Sequence, residues 1–131
     1  VSAVQHKTEI DMSRTVLTGE GSVSTINDTL TTIVTIAVSA PSVSMVRARV
    51  VARASNGNTA AWDLGALVSR STDEPALTIG DVVEMFHKTN AGNDRWSATI
   101  LSSSDSFFVV VRGTESDSIE WSATADAFEQ F

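Results

Sequence analysis

The chain has 131 residues, no cysteine, 42% hydrophobic residues and a formal charge of −7 at neutral pH. That length suits one domain with a core of its own, and the missing cysteines exclude disulfides and thiolate metal sites. An acidic surface repels phosphate backbones, so no nucleic acid is expected as a partner; no apolar run nears the roughly 20 residues of a helical membrane span, so no membrane is expected either.

The chain opens on a mixed, polar stretch, residues 1–20, with Val4, Ile10, Met12, Val16 and Leu17 scattered through it. It carries neither the basic start nor the apolar middle of a secretory leader. Ile10 and Met12 alternate over a short run, which predicts an N-terminal arm with one strand. Gly19-Glu20-Gly21 is the natural hinge before a body spanning residues 21–131. A frayed terminus is the bland reading of this arm. The other is docking on a neighbouring protein, with Ile10, Met12, Val16 and Leu17 as contacts; apolar residues that a small body need not cover favour it.

From Leu30 onward the pattern becomes regular. Leu30–Val38, Met45–Ala54, Ala60–Ser69, Val82–Lys88, Arg95–Leu101, Phe107–Arg112 and Ile119–Phe128 each suit an extended strand. Turn residues separate them, among them Ala40-Pro41-Ser42, Ser55-Asn56-Gly57-Asn58 and the hairpin-type loop Asn90–Asp94. Many short strands at this spacing predict an all-β fold, an antiparallel β-sandwich or barrel-like (jelly-roll-like) domain. Tyr is absent and Ser and Thr are plentiful, a bias that fits strands and turns.

Within Met45–Ala54 the two faces separate. Val46, Ala48, Val50 and Ala52 lie on one side, and Arg47, Arg49 and Arg53 lie on the other with Val51. Three guanidinium groups on one strand face would repel one another, so acidic residues of flanking strands are expected opposite them. A subunit interface or an anionic ligand is the alternative use of that face. On Ala60–Ser69, Trp62, Leu64, Ala66 and Val68 share a side. Val82–Lys88 is apolar on both sides, which predicts partial cover on each.

Trp-Ser-Ala-Thr occurs twice, at Trp96–Thr99 and Trp121–Thr124, with Phe107–Arg112 between the copies. A meander would place the two Trp strands on either side of the middle one, with their rings at similar heights and packed inward. A sugar-stacking platform would instead need the rings to face solvent.

The chemical inventory is thin. His6 and His87 lie far apart in sequence, and a metal set would need more His or close carboxylates. Asp63, Asp73, Glu74, Asp81 and Glu84 suit a solvated acidic rim, with a calcium loop at Asp73–Asp81 as the alternative. No nucleophile elbow, phosphate loop or metalloprotease helix is present. The expectation is a protein that is not an enzyme and needs no cofactor or metal.

One ordered set of segments resembles a known family. Thr31–Val38, then Val46–Arg53, then Ala60-Ala61-Trp62 is similar to small β domains of tailed-bacteriophage structural proteins. Asp94–Thr99 resembles the Trp-containing strand of those domains, Phe108–Gly113 their Val-rich strand ending in Gly, and Ile119–Thr124 their closing strand. The likeness covers about Ser24 to Phe131; Arg112 and Phe86-His87-Lys88 depart from it. It implies a virion component, made in the host cytoplasm and carried on the particle. A lone domain with a short arm and no repetitive shaft implies a capsid decoration (cement) protein on the head surface. Its partners would be its own copies, as a homo-oligomer such as a trimer, and the major capsid protein. The alternatives are a tail-fibre or receptor-binding tip that recognises host glycans, and a carbohydrate-binding module with at least two solvent-facing Trp rings.

Overall fold

The computed structural model describes residues 2–11, 13–90 and 96–130. Among them are nine strands and no helix: β1 (Ser2–Asp11), β2 (Arg14–Thr25), β3 (Thr31–Ala37), β4 (Ser42–Ala54), β5 (Thr59–Arg70), β6 (Leu77–Thr89), β7 (Ser97–Ser103), β8 (Ser106–Arg112) and β9 (Ile119–Gln130). They form two antiparallel sheets, one of six strands in the order β1-β2-β9-β4-β5-β6 and one of three in the order β3-β8-β7. The sheets face each other as a β-sandwich, and neither closes into a barrel. β2 pairs with β9 and β3 with β8, a nested pairing of the two chain halves, while β4, β5 and β6 continue as a meander in the larger sheet.

The period-two pattern decides which side chains fill the space between the layers. On β4, alternate residues from Ser42 to Ala54 are buried without a break, and β9 does the same from Ile119 to Glu129. The larger sheet presents small residues there, Ala48, Ala52, Ala123, Ala125 and Ala127. The smaller sheet fills the gap with Ile33, Ile36, Ile100, Phe107 and Val109. Large side chains on one layer against small ones on the other bring two backbones to interior packing density.

The tryptophans sit in this core, but the expected meander is not the reason. β7 and β8 pair, whereas β9 lies in the opposite sheet. Trp96, just before β7, and Trp121 on β9 therefore meet across the sandwich, with ring centroids 6.0 Å apart and tilted by 56°. Trp62 stacks on Trp121 at 5.7 Å and on His87 at 4.8 Å. Each buried indole of the repeated motif donates its N–H to a threonine, Trp121 to Thr25 Oγ1 at 2.9 Å and Trp96 to Thr114 Oγ1 at 3.3 Å. The hydrogen bonds remove the cost of burying a polar N–H, so the rings contribute their full apolar area.

The N-terminal segment differs from the expectation. β1 and β2 pair antiparallel, two strands instead of an arm with one, and β2 is an interior strand of the six-stranded sheet. The expected hinge at Gly19–Gly21 falls inside β2, where Gly19 pairs with Ala125 and Gly21 with Ala123. Gly19 has a packing role: a Cβ there would meet Val34 Cγ1 at 3.0 Å and Ile36 at 3.2 Å, so its absence lets β3 close on β2. The boundary drawn between residues 20 and 21 therefore crosses a continuous strand. Only β1 is arm-like, exposed from Ala3 to Ile10 and tied back through the Ala37 N–H, which donates to Gln5 Oε1 at 3.3 Å.

Three strands, spaced about 4.8 Å apart, span roughly half the width of six. The smaller sheet therefore leaves the borders of the larger one overhanging. β6 shows the consequence. It starts earlier than the pattern predicts and carries register shifts opposite Asp63/Leu64 and Gly65/Leu67, which break its alternation. The partial cover expected on both of its faces is found on one: Val82 packs against the core and His87 stacks on Trp62, while Val83, Met85 and Phe86 are exposed together.

Candidate interaction face

The outer face of the six-stranded sheet is covered by nothing among the described residues. Register fixes what stands beside what. One cross-strand row reads Val16, Phe128, Met45, Leu67, Ile79 from β2 to β6, every neighbour in direct register. Met45 is 73% exposed, the highest value among the large hydrophobic residues of the core and surface. At right angles to this row, the β6 border adds Leu77, Val83, Met85 and Phe86. Met85 folds inward over Gly65, where an added Cβ would come within 3.3 Å of its terminal methyl. Glycine at that position lets the thioether lie flat on the sheet.

The next rows are charged. Thr18, Asp126, Arg47 and Gly65 form one, and Glu20, Thr124, Arg49 and Asp63 the following one. Arg47 makes a two-pronged contact with Asp63: Nε donates to Oδ1 at 3.1 Å and Nη2 to Oδ2 at 2.7 Å. Those hydrogen bonds hold the Asp63 carboxyl below its ordinary value of 3.8, against the opposing effect of burial, with the charges of Arg47 and Arg49 adding to the drop. The same bonds raise Arg47. The acid expected opposite the arginines is thus Asp63 for Arg47. Arg53 stands in register with Glu120, and neither Arg49 nor Arg53 makes an ion pair of its own among the described residues.

The residues singled out from the sequence scatter. Arg47, Arg49 and Arg53 share the outer face with Val16. Ile10 lies on exposed β1 beside a register shift, and Met12 falls outside the described residues. Leu17 is corrected outright: it is 3% exposed, points into the core and has no surface to offer a partner. Its neighbour Thr15 also points inward, because residues of odd number on β2 face β3. The strongest apolar contributors, Met45, Phe128, Leu67 and Ile79, are not among those singled out, although the odd numbering that groups the arginines also puts Met45 on their side.

Open depressions among the described residues mark this face. One of about 560 Å³ lies among Val4, Glu20, Arg49, Val51 and Thr124. Another of about 640 Å³ lies among Val51, Phe86, Lys88 and Glu120, and a third of about 230 Å³ lies beside His6 and Asp126. None is enclosed, and among the described residues no three His, Asp or Glu side chains converge. The solvent-facing tryptophans that a sugar platform requires are also missing, since Trp62, Trp96 and Trp121 are all buried.

The polar feature of the interior lies elsewhere, at the end of β9. Glu129 is fully buried and accepts three hydrogen bonds, from Thr15 Oγ1 at 2.8 Å, Ser39 N–H at 2.7 Å and Ser39 Oγ at 2.9 Å. It ties β9 to β2 and to the turn between β3 and β4, which is structural work. No protein-family model, no curated protein and no solved structure matches this chain.

Proposed function

We propose that the chain is a structural domain of a tailed-bacteriophage particle, a capsid decoration protein that oligomerises on the head and stabilises the shell. The observation that supports this reading is the uncovered outer face, broad and open, with an apolar row beside paired and unpaired arginines. Such a face suits contact with another protein, where Arg and Met are enriched. Shell stabilisation then follows from burying apolar area between subunits. The exposed strand β1 is the element best placed to reach the major capsid protein, because an edge strand offers unpaired backbone groups for strand addition.

The test is co-sedimentation of the purified protein with heads that lack it. Binding that saturates at a fixed number of copies per head supports the reading, and protein left wholly in the supernatant rejects it. A tail-fibre tip is the second reading, favoured by the half-exposed rings of Phe86 and Phe128 on the same face. It predicts retention by host envelope glycans, and a blank glycan array counts against it.

A further inference from the structure

We infer that the outer face of the six-stranded sheet is where one copy of this chain packs against another. The inference deepens the reading above by naming the partner of that face. Two properties of the face point to it.

The first is area. Phe128, Leu67 and Ile79, with Met85 and Phe86 on the β6 border, are each about half exposed, and Met45 more than that. With Leu77 and Val83 beside them, eight exposed apolar residues at about 100 Å² each put the patch on the order of 800 Å². The largest apolar patch of an ordinary monomer is about 300–600 Å², and each partner of a stable complex buries about 800 Å². The face therefore carries enough apolar surface for one specific interface.

The second is charge, and it selects the partner. The outer face holds Arg14, Arg47, Arg49, Arg53 and Lys88, which is five of the chain's nine Lys and Arg. Among the described residues, register places Asp11, Glu20, Asp63, Glu120 and Asp126 of the sixteen Asp and Glu on it. The five cations and five carboxylates balance, so the formal charge of −7 lies elsewhere. Two copies of a chain of charge −7 repel when those surfaces meet. They meet here without that penalty, with cations and carboxylates of both signs on each side to pair across the contact. The outer face of the smaller sheet is also nearly uncharged, with Arg112 alone, but of its strand residues only Leu101 is a large apolar side chain left exposed. An apolar area sufficient for an interface on a near-neutral surface is self-complementary in the way an oligomer of identical subunits requires.

The experiment is sedimentation velocity over a micromolar-to-millimolar concentration series. The unmodified protein is expected to run as two copies, the number at which a self-complementary face closes. Met45→Glu/Phe128→Glu is expected to raise the dissociation constant by about 30-fold or more, the effect of a central hot spot. Its far-UV spectrum and unfolding cooperativity should stay unchanged, because both sites are exposed. Leu101→Glu, on the outer face of the smaller sheet, is expected to leave the mass unchanged. The cysteine-free chain allows a second readout: Met45→Cys should yield disulfide-linked pairs and Leu101→Cys should not. A native protein that stays monomeric, or an oligomer that survives the Met45/Phe128 change, overturns the inference. Head binding is measured separately: a monomeric protein that still saturates heads sinks this inference and keeps the decoration reading, while a self-associating protein that ignores heads does the reverse.

Discussion

Replacing Glu129 tests how the two ends of the chain are held together. In Glu129→Ala, Thr15 Oγ1, Ser39 N–H and Ser39 Oγ all lose their acceptor, the first fully buried and the two of Ser39 half-buried. Each buried group left unsatisfied costs about 1–3 kcal/mol, and water entering the vacated space recovers part of that. The expected loss is about 3–5 kcal/mol, a large share of the roughly 5–15 kcal/mol that holds a domain folded. Glu129→Gln separates hydrogen bonding from bulk. Its single oxygen can serve the two hydroxyls that share Oε1, but its amide nitrogen then faces the Ser39 N–H, donor against donor. That variant should lose about 1–3 kcal/mol. Ser44→Ala is the control. Ser44 stands in register with Glu129, and its buried hydroxyl has no partner among the described residues, so removing it should cost nothing. Urea midpoints give the free energies, and exchange of the Ser39 amide gives the local effect. An Ala variant within about 1 kcal/mol of the parent, or a Ser39 amide equally protected in both, refutes this account of the latch.

Truncation distinguishes β1 from β2: deleting residues 1–11 should leave a cooperative unfolding transition, whereas deleting residues 1–20 should abolish it, because Thr15 and Leu17 belong to the core; gel filtration and thermal melts read both. Asp63→Asn should lower stability near neutral pH and match the parent in strong acid. The folded carboxyl is held below its ordinary value of 3.8, so its contribution is complete above that value and disappears as pH falls through the lower folded value; a urea-midpoint difference that persists unchanged in strong acid contradicts the pairing with Arg47. Acrylamide should barely quench the intrinsic fluorescence, since all three indoles are buried; quenching typical of free tryptophan would mean that at least one ring faces solvent.

The legible part of the fold is local. Alternation along Met45–Ala54 named the buried and exposed faces of β4 residue by residue, because successive side chains of a strand must point to opposite sides. The same rule placed Arg47, Arg49 and Arg53 together and called for an acid opposite them, which Asp63 supplies. It failed on β6, where bulges shift the register and no period survives. It also failed in the first 25 residues. Two glycines in β2 read as a hinge, when Gly19 is small because β3 passes close above it.

The amino-acid sequence alone therefore determined the all-β class, the presence of the strands after Leu30 and, on β4 and β5, which side chains face inward, since these follow from a two-residue repeat within each segment. Only the tertiary structure decided which strands are neighbours. Pairing joins residues as distant as Val16 and Phe128, and many strand orders satisfy the same in–out pattern. For that reason the two Trp-Ser-Ala-Thr copies face each other across the core instead of flanking one strand. The row from Val16 to Ile79 likewise exists only once β2, β9, β4, β5 and β6 lie side by side, because a surface patch is a property of neighbours and not of any one segment.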